Sequence, residues 1–364
     1  MLISRTPFRI SFFGGGTDYP AWYRRHGGAV LATTINKYCY ITCRYLPPFF
    51  EHRFRVVYSK TENCRSVDDI AHPAVREILR YLAIEQGVEI HHDGDLPARS
   101  GLGSSSAFTV GLLHALYALK GVMATKVRLA REAIHIEQER LRETVGCQDQ
   151  VLAAYGGCNH IEFLPDDQIR VAPLTLHRTR LEELNRHLML FFTGITRTAS
   201  SIAGSYVVSA ERNAPHLHWL NAMVKEALAI LADGQELSRF GALLHEAWVA
   251  KRGLSEKVSN PAIEQIYEQA LAAGALGGKL IGAGGGGFML LFVPPEHQDQ
   301  VRRRLGGLIH VPFTFESCGS RIIVCEPEED YSGLAEIREA QSVAAFQEAT
   351  PAAEWGTARS GLPA

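Results

Sequence analysis

Gly101, Gly103, Ser104, Ser105 and Ser106 stand directly in front of a long apolar run in the segment PARSGLGSSSAFTVGLLHALYALKG. Glycine lets a backbone approach a ligand closely. Free N–H groups at a helix start, together with the positive end of the helix dipole, attract phosphate. The cluster therefore reads in two ways. It is a phosphate-holding turn, or it is a helix with an ordinary serine cap, because serine is among the best N-cap residues. Taken alone it does not choose between them.

Two other segments are as rich in glycine: FFGGGTDY near the N-terminus and GAGGGG at 282–287. Gly282, Gly284 and Gly287 formally spell G-x-G-x-x-G. A dinucleotide fingerprint follows a strand and opens a helix, whereas these glycines precede the apolar strand FMLLFV, so the Rossmann reading fails on context. The pattern G-x-x-x-x-G-K-[ST] is absent, although Lys279 after Gly278 imitates part of it, and this excludes a Walker-type NTPase.

The elements that must carry these loops follow from periodicity and punctuation. FRISFFGGGTDYP and GGAVLATTINKYCYITCRYL read as strands between Gly and Pro breaks, and VEIHHDGDLP as a short strand leading into the Gly/Ser cluster. HPAVREILRYLAIEQG has helical spacing, with Val75, Ile78, Leu79 and Leu82 on one face and Gly87 as the stop. Phe108 to Lys120 reads as a helix ended by Gly121, and its low polarity requires burial. TKVRLAREAIHIEQERLRE is an amphipathic helix and GCQDQVLAAYGG a short one. HLMLFFTGITRTAS is strand then turn, and residues 200–273 are mostly helical. GGKLIGAGGGGFMLLFVPP is a glycine turn before a strand. A basic helix (298–305) and the strand SRIIVCEP close the second half. No repeat is visible. Strands and helices mix without regular βαβ alternation, which predicts an α+β fold. We place a domain at 1–180, a second at 181–328 and a tail, a loose helix or disordered, at 329–364.

The chain of 364 residues is long enough for two domains, and 46% hydrophobic content suffices for proper cores. A formal charge of −2, from 37 Lys+Arg against 39 Asp+Glu, gives no general attraction to nucleic acid or to an anionic membrane. Phosphate recognition must then be local. Seven cysteines, at 39, 43, 64, 147, 158, 318 and 325, contain no C-x-x-C pair, so neither a disulfide framework nor a zinc site is indicated. Reduced thiols, no signal-peptide pattern in MLISRTPFRISFFGGG and no run of membrane-span length predict a soluble cytoplasmic protein.

PARSGLGSSSA resembles the P-x-x-x-G-L-G-S-S-A motif of the GHMP small-molecule kinases, the family of galactokinase, homoserine kinase, mevalonate kinase and phosphomevalonate kinase. PFRISFFGGGTDYP is similar to that family's N-terminal substrate motif, and KLIGAGGGGFMLLF to its C-terminal glycine motif. Three ordered motifs from Pro7 to Phe292 carry the resemblance, which covers the chain except its tail. It implies a ribosomal S5 domain 2-like N-terminal domain, a ferredoxin-like C-terminal domain, ATP and Mg²⁺, a small-molecule acceptor, and a monomer or homodimer.

Residue by residue, the resemblance implies that backbone N–H groups of Gly101, Leu102, Gly103, Ser104, Ser105 and Ser106 hold the ATP phosphates, and that Gly284 and Gly285, in the glycine motif that buttresses this loop, also bind the nucleotide. It makes Ser104 a Mg²⁺ ligand, with Ser105 the competing residue, and Glu137 in HIEQER the second ligand, against the plain reading of Glu137 as a solvated helix residue. Asp149 in GCQDQVLAAYGG would be the general base and Arg9 its partner, lowering its affinity for the proton and neutralising developing charge. Position alone reads Asp149 equally as an N-cap. Gly15, Gly16, Thr17 and Asp18 would form the substrate loop, with Asp18 accepting hydrogen bonds from sugar hydroxyls.

Galactokinase has G-E-H-T-D where this chain has Gly15-Gly16-Thr17-Asp18. The missing Glu and His leave room for a larger substrate and remove a charge that would repel phosphate. With Q-D-Q and TGITRTAS, the pattern resembles most the heptose 7-phosphate kinase branch, with fucokinases near it. That implies phosphorylation of the anomeric C1 hydroxyl to a 1,7-bisphosphate for nucleotide-heptose biosynthesis. Arg197 and Lys37 are the expected partners of the distal phosphate, although isolated basic residues are usually surface charge. A free-sugar kinase and a catalytically silent sensor are the competing functions. His91 and His92 read as a strand end, His135 and Glu137 share no helix face, and Trp22 and Tyr23 read as core packing.

Overall fold

The computed structural model describes residues 1–98, 100–195, 204, 211–326, 331, 333–334 and 337. Thirteen strands among them form two sheets. The first sheet contains β1 (Leu2–Phe13), β2 (Gly28–Tyr45), β3 (Phe54–Val57), β4 (Thr61–Cys64), β5 (Val88–Gly94), β6 (Cys158–Phe163) and β7 (Ile169–Pro173). The second is antiparallel and contains β8 (Leu188–Phe192), β9 (Gly277–Leu280), β10 (Phe288–Phe292) and β11 (Ile309–His310), in the order β11-β8-β10-β9.

β2 is the organising strand because its length serves four partners. Its first part pairs with β6 (Gly28 to Phe163, Thr33 to Cys158) and its last part with β5 (Cys39 to Gly94, Tyr45 to Val88). β1 lies antiparallel along its whole length. The last two strands, β12 (Phe315–Glu316) and β13 (Arg321–Cys325), return to this first sheet, where β12 pairs with β2 and β13 with β1. The strand SRIIVCEP, expected to close the second half, thus belongs to the sheet of the first. Local sequence cannot show this, because strand partners are chosen by tertiary contact.

The Ser104–Leu119 helix is almost wholly buried, as its lack of a polar face requires. It packs on β1 and β2 through Gly111, where a Cβ would come within 2.9 Å of the Thr6 hydroxyl; the Ser4 hydroxyl donates to the Gly111 carbonyl at 2.8 Å. The Pro73–Tyr81 helix buries Val75, Ile78 and Leu79, and Leu82 just beyond it is buried too. It stops at Tyr81 rather than at Gly87, with Ala83 at φ +48° turning the chain. Helices Ala214–Ala232, Ser238–Arg252 and Pro261–Ala272 occupy the stretch expected to be helical. Phe240 of the second meets Phe12 and Phe13 edge-on, with centroids 5.6 and 5.1 Å apart, so the end of β1 is pinned against the second half of the chain. No helix among the described residues is long and apolar enough to cross a membrane.

Candidate active site

The Gly/Ser cluster is not a serine-capped helix. The N-cap position is Gly103, in the left-handed region at φ +75°, and no side chain caps the helix start. Its first N–H groups therefore lack the usual partner, which is the condition for anion binding. Gly101 is also left-handed, at φ +84°, and a Cβ on it would lie 2.5 Å from the Ile281 carbonyl. Ile281 enters the 282–287 turn, so the two glycine motifs touch. The contacts come from Gly282, whose Cβ would meet the Gly101 Cα at 2.6 Å, and from Gly287, whose Cβ would meet the Ser100 carbonyl at 2.2 Å. Gly284 and Gly285, the expected nucleotide contacts, rest on Val258; Gly285 N donates to its carbonyl at 2.8 Å. The turn curls, and its two ends face the phosphate loop.

Arg9 ties this loop to Asp149. Its Nε donates to Oδ1 and its Nη2 to Oδ2, both at 2.6 Å, while Nη1 donates to the Gly101 carbonyl at 2.5 Å. The Arg9 backbone N–H reaches the carbonyl of buried Leu102 at 3.1 Å. Asp149 is the second residue of the Gln148–Tyr155 helix, with Cys147 at the N-cap, so it is no N-cap aspartate. Its side chain keeps 24% exposure against 6% for Arg9, and so it is the member of the pair open to solvent.

Asp18 is 1% exposed. Its Oδ1 accepts from Gly16 N at 3.0 Å and its Oδ2 from Gln148 N at 3.2 Å, so one carboxylate closes the substrate loop and holds the helix that carries Asp149. Burial first, and the charge of Asp149 second, raise its pKa above the ordinary aspartate value. Gly146 makes the fit possible, since a Cβ there would lie 1.9 Å from Asp18 Oδ2. Thr17, expected to bind substrate, is buried, and its hydroxyl is spent on the Gly14 carbonyl at 2.8 Å. That residue shapes the loop. Gly15 is half-buried and lies near Gln148 Nε2, at 3.6 Å from the position of a Cβ, whereas Gly16 is buried against Leu217.

Glu137 is fully buried in a π-helical turn, Ile136–Arg140, that extends the Lys126–His135 helix, and is not a solvated helix residue. Its Oε2 accepts from Ser106 Oγ at 2.9 Å and from Gln150 Nε2 at 2.5 Å, while Oε1 has no hydrogen-bond partner. Thr109 stands close but donates to the Ser105 carbonyl at 3.2 Å. Burial pushes the Glu137 carboxyl up to about 7, and the donors around it oppose that only in part. An orphaned, buried carboxylate oxygen near a serine-lined phosphate loop fits a hard divalent cation. Ser106 is the serine that reaches Glu137. Ser104 and Ser105 make no side-chain hydrogen bond among the described residues, which leaves their hydroxyls open to a ligand.

Lys37 sits on β2 beside the bulge opposite Pro7 and Phe8, between Asn36, bonded to Thr314, and Tyr38, bonded to Asp95. No hydrogen bond or ion pair among the described residues ties it to the Asp18 loop. Arg197 lies outside the described residues. Trp22 and Tyr23 are core residues, as read, with Trp22 stacked on His26 at 4.1 Å. Gly146 and Lys251 were not singled out in the sequence; Gln148 and Gln150 entered only as the flanks of Q-D-Q, and Lys279 only as an imitation of a Walker lysine. Lys251 left a further signal there, as a charge placed on an apolar helix face.

A glycine-lined loop with uncapped helix N–H groups beside an Arg–Asp pair, on a two-sheet α+β frame without a P-loop, has the parts that a small-molecule phosphotransferase needs. The family model for GHMP kinases N terminal domain matches residues 69–157, and that for GHMP kinases C terminal matches 224–308. The chain is 32% identical over 335 residues to the D-glycero-alpha-D-manno-heptose 7-phosphate kinase of Campylobacter jejuni, spanning 87% of this chain and 98% of that one. It is 30% identical to an L-fucokinase/L-fucose-1-P guanylyltransferase of Bacteroides fragilis, over 82% of this chain and 35% of that longer protein. The crystal structure of a D-glycero-D-manno-heptose 1-phosphate kinase from Bacteriodes thetaiotaomicron matches with TM-score 0.74 and 26% identity, over 90% of this chain and 100% of that one. The chain belongs to the GHMP kinase family and is a phosphotransferase acting on a sugar hydroxyl.

Proposed function

We propose that the protein transfers the γ-phosphoryl group of ATP to the anomeric C1 hydroxyl of D-glycero-D-manno-heptose 7-phosphate, giving the 1,7-bisphosphate for nucleotide-heptose biosynthesis. The observation that carries the chemistry is the two-point Arg9–Asp149 pair fastened to the phosphate loop at Gly101. The substrate reading is supported by the similarity to the Campylobacter jejuni kinase.

Backbone N–H groups from Gly101 to Ser106 hold the nucleotide phosphates. Asp149 accepts the proton of the sugar hydroxyl as its oxygen bonds to the γ-phosphorus and the bond to the ADP oxygen breaks. Each carboxylate oxygen engaged by Arg9 retains a second lone pair for this. Arg9 keeps Asp149 ionised and in register, and offsets the negative charge of the transferring group. Asp18, buried and bonded at both oxygens to Gly16 N and Gln148 N, positions the substrate loop rather than meeting the sugar hydroxyls expected of it. Glu137 Oε1 and the Ser104 or Ser105 hydroxyl would hold Mg²⁺, which when bound neutralises phosphate charge. Gln150 and Ser106 orient Glu137. A soluble location in the cytoplasm, where ATP is supplied, suits this reaction.

A coupled assay over sugar 7-phosphates and free sugars tests the reading. Turnover of the heptose 7-phosphate well above that of any free sugar supports it. Turnover of L-fucose or another free sugar alone would move the protein to the fucokinase-like alternative, which the Bacteroides fragilis similarity favours.

A further inference from the structure

Two lysines lie where lysine is rare. Lys251, near the end of the Ser238–Arg252 helix, is 6% exposed, and Lys279 in β9 is 4% exposed. Neither forms an ion pair with a carboxylate among the described residues. Both amines donate to main-chain carbonyls. Lys279 Nζ donates to Phe12 O at 2.8 Å, just before the substrate loop. Lys251 Nζ donates to Leu280 O at 3.1 Å and to Gly282 O, at the two sides of the entry to the glycine turn.

From Lys251 the contacts are continuous to the reacting groups. Gly282 lies against Gly101, the Gly101 carbonyl accepts from Arg9, and Arg9 holds both oxygens of Asp149. An ammonium has three hydrogens, and among the described residues only two acceptors engage this one. The charged groups facing it are Arg9 from β1, Asp18 from the loop after β1, and Lys279 from β9. Burial first and Arg9 second push the Lys251 amine down to about 7, with Asp18 opposing.

We propose that Lys251 is a positioning residue for phosphoryl transfer: it holds the glycine turn on the phosphate loop and keeps one hydrogen for the anionic ligand that enters beside Arg9. This rests on the kinase reading above. An anion arriving next to a largely neutral buried amine draws a proton onto it, so nucleotide binding above neutral pH is coupled to proton uptake at this residue.

The test uses the full chain as wild type, Lys251→Met and Lys251→Arg. Calorimetric binding of a non-hydrolysable ATP analogue with Mg²⁺ at pH 8, in two buffers of different ionisation enthalpy, reads proton uptake. At that pH Glu137 has already lost most of its proton. Wild type takes up about half a proton or more relative to Lys251→Met. Lys251→Met loses about 100-fold in kcat with KM values changed only a few-fold, and Lys251→Arg recovers part of the loss. Wild-type kcat and wild-type proton uptake in Lys251→Met overturn the proposal, as does a kcat loss no larger than the fraction unfolded in a thermal melt. If Lys251→Met fails to fold, zero proton uptake by wild type at pH 8 overturns it. Proton uptake by wild type without turnover of any sugar or sugar phosphate leaves Lys251 in place and removes the kinase reading instead.

Discussion

Arg9 grips Asp149 at both carboxylate oxygens, at 2.6 Å each, from two segments separated by 140 residues. Charge-assisted, two-point pairing of this kind is among the stronger polar contacts a protein makes, and here it leaves the aspartate open to solvent. Asp149→Asn keeps the size of the side chain, leaves one Arg9 donor without its acceptor, and removes the carboxylate proposed as proton acceptor. We expect kcat to fall by about 10²–10⁴-fold. ATP binding, followed by calorimetry, should stay within a few-fold of wild type. Retained turnover removes Asp149 from the role of base.

Glu137 sets a pH dependence whose sign follows from its burial. Its folded-state pKa, about 7, lies above the ordinary 4.5, so the folded state binds the extra proton between these values. Its contribution to stability is complete below about 4.5 and is lost as pH rises through 7. Glu137→Gln should abolish that part of the pH dependence in urea unfolding without ligand. Binding of Mn²⁺ with an ATP analogue should tighten about tenfold per pH unit up to about 7 in wild type and then level off. A flat profile would remove Glu137 from the metal site.

The three serines should separate by function. Ser106→Ala strips a donor from a buried carboxylate and should cost about 1–3 kcal/mol in denaturant unfolding. Ser104→Ala should leave stability near wild type and weaken metal binding about tenfold or more. Loss of metal affinity in Ser105→Ala but not in Ser104→Ala would shift the ligand by one residue.

Gly287→Ala places a methyl 2.2 Å from the Ser100 carbonyl at a backbone φ of +99°. Strain and displacement should lower stability by about 1–3 kcal/mol. Since Ser100 precedes the phosphate loop, KM for ATP should rise as well. Gly307→Ala, with open space around it, is the control and should leave both unchanged.

Much of the site was legible because its chemistry needs particular residue types at fixed local spacing. The glycines flanking Leu102, the Gly-Gly-Gly-Thr-Asp run and the 282–287 turn are short-range features, as is the burial of an all-apolar Ser104–Leu119 helix. The roles of individual side chains inside those motifs were less legible. Thr17 reads as a substrate residue until its hydroxyl is found on the Gly14 carbonyl, and Gly284 and Gly285 sit in the motif that buttresses the loop, yet the turn curls them onto Val258. In the Ser238–Arg252 helix the signal was available: Lys251 follows Phe240, Leu244 and Ala247 on the buried face, a charge at an apolar position.

The sequence by itself determined the α+β class, the three glycine loops and the absence of either standard nucleotide fingerprint, because backbone freedom, turn chemistry and periodicity act over a few residues. Tertiary structure alone decided that β12 and β13 return to the first sheet, that Gly103 and no serine begins the helix, and that Ser106 and Gln150 converge on one oxygen of Glu137 and leave the other bare. It also decided that Lys251 is linked, through Gly282, Gly101 and Arg9, to Asp149. Those are contacts between segments up to hundreds of residues apart, selected by which faces can be buried together, and no local pattern encodes them.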